Sequence, residues 1–164
     1  MHLSQLDKTG HIVIVGTSTS TGKSSNIAIA RLKPNGRLDT RFGADGDQDG
    51  TPDGVVSLDL GESSDEGRAV VIQPDGKIVI GGNSKATSSN LIVARLHANG
   101  SLDKSFGADG GQDGTPDGVV QVSLGQGDDV VKAIALQANG KIILVGDLVN
   151  GASSDAFVAR ILGR

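Results

Sequence analysis

The chain has no cysteine, tryptophan or tyrosine, and its 164 residues include only 3 phenylalanines and 4 prolines. No apolar run approaches the roughly 18 residues that a membrane-spanning helix needs. Without cysteine there are no disulfides, no thiolate catalysis and no cysteine-ligated zinc; the redox compartment stays open, because secreted proteins also occur without cysteine. With aromatic residues at 2 %, a core has to be assembled from Val, Ile, Leu and Ala, which favours thin, closely packed layers. The scarcity of aromatic platforms also argues against a lectin or sugar hydrolase. The start, Met1-His2-Leu3-Ser4-Gln5-Leu6-Asp7, has neither the charged region nor the apolar stretch of a signal peptide, so a soluble chain is expected as given. A formal charge of −4 is the wrong sign for neutralising phosphates, and neither nucleic acid nor membrane is an expected partner.

What the chain has in abundance is glycine, 25 residues of it, placed in a repeating pattern. Ile12-Val13-Ile14-Val15-Gly16, Ile78-Val79-Ile80-Gly81-Gly82 and Ile142-Ile143-Leu144-Val145-Gly146 are three copies of one segment, each followed by a polar loop and then Ala30-Arg31-Leu32, Ala94-Arg95-Leu96 or Ala159-Arg160-Ile161. The arginines are spaced 64 and 65 positions apart, and Phe42 and Phe106 again 64. The chain is an array. This disposes of a superficial phosphate loop in Gly16-Thr17-Ser18-Thr19-Ser20-Thr21-Gly22-Lys23-Ser24. Five residues separate the glycines where four are needed, and a strand pattern follows instead of a helix. The equivalent loops, Asn83–Ser89 and Asp147–Gly151, have no such pattern, so the position reads as a variable hairpin loop.

Each unit carries four short apolar runs. In the clearest they are Val55–Leu60, Arg68–Gln73, Lys77–Gly81 and Asn90–Leu96, with Pro74-Asp75-Gly76 as a tight hairpin turn. Several runs are apolar on both faces, so the sheet must be covered on both sides. Short antiparallel strands, doubly covered and repeated at fixed period, predict an all-β fold, a β-propeller of four-stranded blades with about three blade units in this chain. The long connections suggest the crossover points. The expected division of this single repeat domain is an incomplete unit over residues 1–32, a linker over 33–53, a blade over 54–96, a linker over 97–117 and a blade over 118–164. Three units do not make a ring of the usual four to eight or so blades, so either the chain is cut from a longer array or it is a homo-oligomer, with a dimer completing six blades as the favoured closure. A protein partner is the other expectation.

Gly76-Lys-Ile-Val-Ile-Gly81, Val93-Ala-Arg-Leu96, Asn99-Gly-Ser-Leu-Asp103, Ser105-Phe-Gly107 and Val71-Ile-Gln-Pro-Asp-Gly76 together resemble the bacterial delta-60 repeat, an uncharacterised β-propeller repeat family. The resemblance covers nearly the whole chain. It implies a bacterial propeller with no established activity, often found within secreted or surface proteins, so an extracellular or cell-surface location is favoured. The chain departs from that pattern after each Phe-Gly by inserting an acidic stretch.

The first stretch, Asp45-Gly46-Asp47-Gln48-Asp49-Gly50-Thr51-Pro52-Asp53, sets carboxylates at positions 1, 3, 5 and 9 with glycine at 6. A hard cation of about 6–8 oxygen ligands needs such a loop, and glycine permits the sharp turn. Calcium is the expected cofactor, with Asp45, Asp47, Asp49 and Asp53 as ligands. Val56 stands where an EF-hand needs glutamate. The spacing resembles the calcium loops of integrin α-chain propellers over these nine residues. In the second copy Asp109, Asp113 and Asp117 are the candidate ligands, and Gly111 removes one carboxylate. The alternative is a solvated Asp- and Gly-rich linker shaped by turn requirements.

Arg31, Arg95 and Arg160 recur on the last strand of each unit, and Asp39 and Asp103 recur shortly after the first two. A repeated ion pair pinning each linker to its blade is expected over a ring of ligand-binding groups. Phe42 and Phe106 are expected to plug the linkers into the core. No catalytic residue is nominated: His2, His11 and His97 occupy non-equivalent places, the serines lack a nucleophile-elbow context, and Asp128-Asp129 reads as solvated charge near a turn. Two classes remain, a non-catalytic calcium-stabilised scaffold or interaction module, which is favoured, and a propeller hydrolase or lyase whose site lies in a central channel.

Overall fold

The computed structural model describes residues 3–19, 24–44, 52–60, 64–85, 88–107, 117–125 and 127–163. Eleven strands, all paired antiparallel, form three sheets, and no helix occurs among the described residues. The first sheet contains β1 (Leu3–Leu6), β2 (Ile12–Thr19), β3 (Ser25–Leu32) and β4 (Val55–Leu58), in that order. The second contains β5 (Ser64–Ile72), β6 (Ile78–Lys85), β7 (Ser89–Leu96) and β8 (Val119–Val122) in order. The third contains β9 (Asp128–Leu136), β10 (Ile142–Asn150) and β11 (Ser153–Ile161), with β10 in the middle. These are successive β-propeller blades that do not close into a ring.

The repeat is exact enough to preserve register. Ile14 faces Ala30, Ile80 faces Ala94 and Leu144 faces Ala159. Each first hairpin turns on a glycine in the left-handed region, Gly10, Gly76 or Gly140, whose N–H donates to the carbonyl of Asp7, Gln73 or Gln137 at 2.9 to 3.1 Å. Only glycine takes that φ without strain.

Two apolar layers hold the sheets together. Val13, Val15, Ile27, Ile29 and Phe42 meet Val70, Ile78, Ile80, Ile92 and Leu96 between the first and second sheets. Val79, Leu91, Val93 and Phe106 meet Val131, Ile142, Leu144 and Phe157 between the second and third. The middle sheet is therefore covered on both faces, and β6 and β7 are buried almost throughout. In the outer sheets equally apolar strands alternate between buried and half-exposed positions. The backbone of β5 crosses the face of the first sheet at Gly67, where a Cβ would stand 2.6 Å from Val15 Cγ2 and 2.7 Å from the Gly16 carbonyl oxygen.

The expected blade boundaries require correction. Val55–Leu58 is not the opening strand of the 54–96 unit. It returns to the first sheet as its fourth strand, pairing Ala30 with Val55 and Ile27 with Leu58. Val119–Val122 does the same for the second sheet. The first sheet consequently has four strands, and the three-stranded sheet is the last. Linker length misleads because the described linker residues, 33–44 and 52–53, fold back onto the strand they leave. Lys33 N–H donates to the Arg37 carbonyl, Asp39 N–H to the Arg31 carbonyl, Gly54 N–H to the Phe42 carbonyl and Arg31 N–H to the Gly54 carbonyl, all within 2.8 to 3.1 Å. Many residues are spent on a net displacement of one strand spacing, while the true crossover from β4 to β5 is the short one.

Candidate functional site

The most elaborate side-chain arrangement is repeated twice, where each long linker leaves its sheet. Asp39 is fully buried; its Oδ2 lies 3.0 Å from Arg31 Nε and 2.8 Å from Arg31 Nη2. Asp103, 1 % exposed, receives Arg95 Nε at 2.8 Å, Lys77 Nζ at 3.1 Å and the Ser105 hydroxyl at 2.6 Å. Each guanidinium also sits over the linker phenylalanine, 4.7 Å from the Phe42 ring centre and 4.5 Å from that of Phe106, a cation–π contact. Each then reaches the neighbouring sheet: Arg31 donates to the Ala98 carbonyl, and Arg95 Nη1 to the Gly163 carbonyl at 2.9 Å. The expected ion pair is present at both linkers, and Phe42 and Phe106 are fully buried plugs.

Burial alone raises the pKa of these carboxylates, but their donors outweigh it. The Arg41 N–H and the Arg31 guanidinium hold Asp39 below the usual range, and Ser105, Lys77 and Arg95 hold Asp103 far below it. Both are committed anions. The sequence reading missed the third partner on each: His11 Nε2 stands 3.5 Å from Asp39, whereas Lys77 occupies the equivalent place beside Asp103. The alignment of the first hairpin turns, Gly10-His11 on Gly76-Lys77, was the available signal.

Two further carboxylates also escaped. Asp65 and Asp129 are buried, and their Oδ2 atoms accept the N–H of Leu60 and Leu124 at 2.8 Å, bracing the short connection into each new sheet. Asp129 therefore departs from the expected solvated charge. Its neighbour Asp128 is part-exposed, pairs with Lys85 at 2.9 Å and accepts the Ser89 N–H at 2.7 Å; these contacts lower its pKa. The signal is again the spacing of 64 positions between Asp65 and Asp129. Asn83 links adjacent sheets, its amide donating to the Asp129 carbonyl and its oxygen accepting the Val131 N–H at 3.1 Å.

Of the expected calcium ligands, Asp45, Asp47, Asp49, Asp109 and Asp113 lie outside the described residues; Asp53 and Asp117 are described and half-buried. The base of the first loop is pinched shut, with Asp53 N–H donating to the Ala44 carbonyl at 3.0 Å. Gly118 N–H donates to the Phe106 carbonyl at 2.9 Å below the second. Gly43 and Gly107 adopt φ of 91° and 93°, and a Cβ there would stand 2.3 and 2.4 Å from the Val55 and Val119 carbonyl oxygens. Among the described residues no group of three or more His, Asp or Glu side chains could hold a metal.

A cavity of about 290 Å³ lies between the first hairpin turns of sheets one and two, lined by Asp7, Lys8, His11, Arg31, Gln73 and apolar neighbours. Its cations are engaged, Lys8 Nζ with the Pro74 carbonyl at 2.5 Å and Arg31 with Asp39. The buried Gln73 amide oxygen has no donor among the described residues.

The remaining candidate surface is a pair of apolar faces. Val13, Val15, Ile27 and Ile29 of sheet one are buried against sheet two. Their counterparts in sheet three are Ile143, Val145, Ala156 and Val158, and here Val145 is 37 % and Val158 75 % exposed. At the other end, the free face of sheet one carries Ile12, Ile14, Ala28 and Leu32, all half-exposed. These correspond to Ile78, Ile80, Ile92 and Leu96, which bury against the preceding sheet. A hollow of about 250 Å³ on this face is lined by Ile14, Gly16, Ala28, Ala30 and Val55.

Three segments of the chain, 8–42, 73–106 and 137–162, match a family described as domain of unknown function (DUF5122) beta-propeller, and together they make up more than half of it. The first two matches run from the first hairpin turn to the buried phenylalanine, so they contain the Arg–Asp–Phe cluster and stop short of the acidic stretch. No curated protein matches the chain.

Proposed function

The chain belongs to the DUF5122 β-propeller family of unknown function, and from that premise we propose that it is a non-catalytic propeller scaffold or interaction module whose copies associate head to tail. The carrying observation is the mismatch between equivalent positions: Ile29 and Val93 are fully buried, while Val158 is 75 % exposed. Sheet three offers the face that sheets one and two bury forwards, and sheet one offers the face that sheets two and three bury backwards. Two such surfaces on one molecule make a heterologous contact, which either closes into a ring or grows. A dimer closing six sheets is the favoured assembly. The non-catalytic reading is supported by the use made of the carboxylates with lowered pKa, since Asp39 and Asp103 are buried in ion pairs that hold backbone.

Calcium is proposed as the stiffening cofactor, held by Asp45, Asp47, Asp49 and Asp53 and, with one carboxylate fewer, by Asp109, Asp113 and Asp117. The pinched bases support this reading because they bring the two ends of each acidic stretch together. Calcium there would neutralise carboxylates that otherwise repel one another. Light scattering should return twice the 16.6 kDa chain mass, and calcium should raise the melting temperature reversibly with chelator. A monomer up to about 100 µM would remove the assembly reading, given that stable contacts of this class bind well below that; a melting temperature indifferent to calcium and chelator would remove the metal.

A further inference from the structure

We propose that the outer edge of the third sheet, along β11, is a strand-acceptor site that takes an extended segment of another polypeptide with the chemistry of residues 97–124: an aspartate and a phenylalanine ahead of a Gly-Val-Val-x-Val strand. Backbone pairing at this edge is separate from the sheet-three face that head-to-tail association buries, with Val158, 75 % exposed, the residue common to both.

The molecule contains two worked precedents. Val55–Leu58 lies antiparallel on Ala30, Ile29, Ala28 and Ile27, and Val119–Val122 lies in the same register on Ala94, Val93, Ile92 and Leu91. The corresponding β11 residues are Ala159, Val158, Phe157 and Ala156, and among the described residues β11 pairs with β10 alone. An edge of this kind is a row of unpaired N–H and C=O groups that templates another strand, and proteins ordinarily keep such edges short. The outer edges of the other sheets obey that rule, since β4 and β8 have 4 residues each. β11 has 9 residues, no proline, and Arg160 as the only charge over its last five.

Charge names the occupant. Arg31 and Arg95 are part-buried or buried, each stacked on a phenylalanine and paired with an aspartate eight positions on. Arg160 is their counterpart and is exposed. A segment bringing Asp and Phe ahead of its strand would give Arg160 the carboxylate and ring that its equivalents have. Its phenylalanine would lie against Val158, as Phe106 lies in the same apolar layer as Val93. This is β-augmentation, in which main-chain bonds supply affinity and side-chain sites supply selectivity.

The test is a synthetic peptide of residues 97–124 titrated into the intact chain, with binding read by calorimetry and the location by hydrogen exchange. Saturable one-to-one binding is expected, with new amide protection on β11. Arg160→Gln in the chain and Asp103→Asn in the peptide should each weaken it about tenfold, the value of one charge-assisted pair. Arg160 is exposed, so its variant keeps the fold; a Val120→Pro peptide, which cannot complete the ladder, should not bind. Absence of binding at about 100 µM, affinity indifferent to Arg160→Gln, or protection changes confined to β7 through displacement of β8 would each overturn the proposal.

Discussion

Asp103 shows how much of this protein is decided at single side chains. Its carboxylate is acceptor to an arginine, a lysine and a serine while 1 % exposed, so removing its charge leaves Arg95, 4 % exposed, uncompensated. Asp103→Asn should cost about 3–5 kcal/mol, the usual consequence of breaking a buried pair from one side, as read by urea unfolding. The same carboxylate dictates the acid response. The folded-state pKa values of Asp39 and Asp103 are depressed, so their contribution is fully present above the unfolded pKa of about 3.9 and is lost as the pH falls below it toward the folded pKa. Stability measured from pH 6 downward should therefore decline below about pH 4, and Asp103→Asn should flatten that decline. An Asn variant with native stability and an unchanged acid limb would contradict the assigned role. The Arg–Asp pairing was legible in the sequence because both residues recur at the repeat period. The cation–π stacking and the contributions of Lys77 and His11 were not, since they join residues brought together only by the folded linker and hairpin.

At the scale of elements, hairpins were legible and connections were not. Turn glycines, alternation and the repeat period located nearly every strand, because local φ requirements and side-chain period are written in neighbouring residues. The parent sheet of Val55–Leu58 and Val119–Val122 was misread, because it depends on where backbone bonds pull the linker. That return is enforced at Gly43 and Gly107, each at positive φ with a carbonyl oxygen of the returning strand where a Cβ would stand. Gly107→Ala should accordingly cost about 1–3 kcal/mol through strain and steric conflict, and should raise exchange rates on β8 before the rest of the second sheet. Gly125→Ala is the matched control, since an added Cβ there meets nothing within 4 Å, and should leave both unchanged. The acidic stretches stand apart: their aspartate spacing is plain in the sequence, but five of the seven nominated aspartates lie outside the described residues.

For the molecule as a whole, the decisive property is polarity along the array. Among the described residues two different half-buried faces, one on sheet one and one on sheet three, are left uncovered, and the proposed assembly would cover both with a second copy. That asymmetry makes a prediction that no self-complementary interface would share. Val158→Glu puts a charge on the sheet-three face at a residue already 75 % exposed, and Ile14→Glu puts one on the half-exposed face of sheet one. Each variant alone should be monomeric by light scattering, because both of its contacts contain one damaged side and an unpaired carboxylate in an apolar interface costs several kcal/mol. Mixed in equal amounts, they should recover a heterodimer: the intact sheet-three face of the Ile14→Glu chain meets the intact sheet-one face of the Val158→Glu chain. That single good contact should bind more weakly than the two in the unmodified pair, visible as a concentration-dependent mass. Were the contact isologous, every pairing in the mixture would carry a damaged patch and no recovery would follow, so the mixing result separates a ring built head to tail from a dimer built face to face.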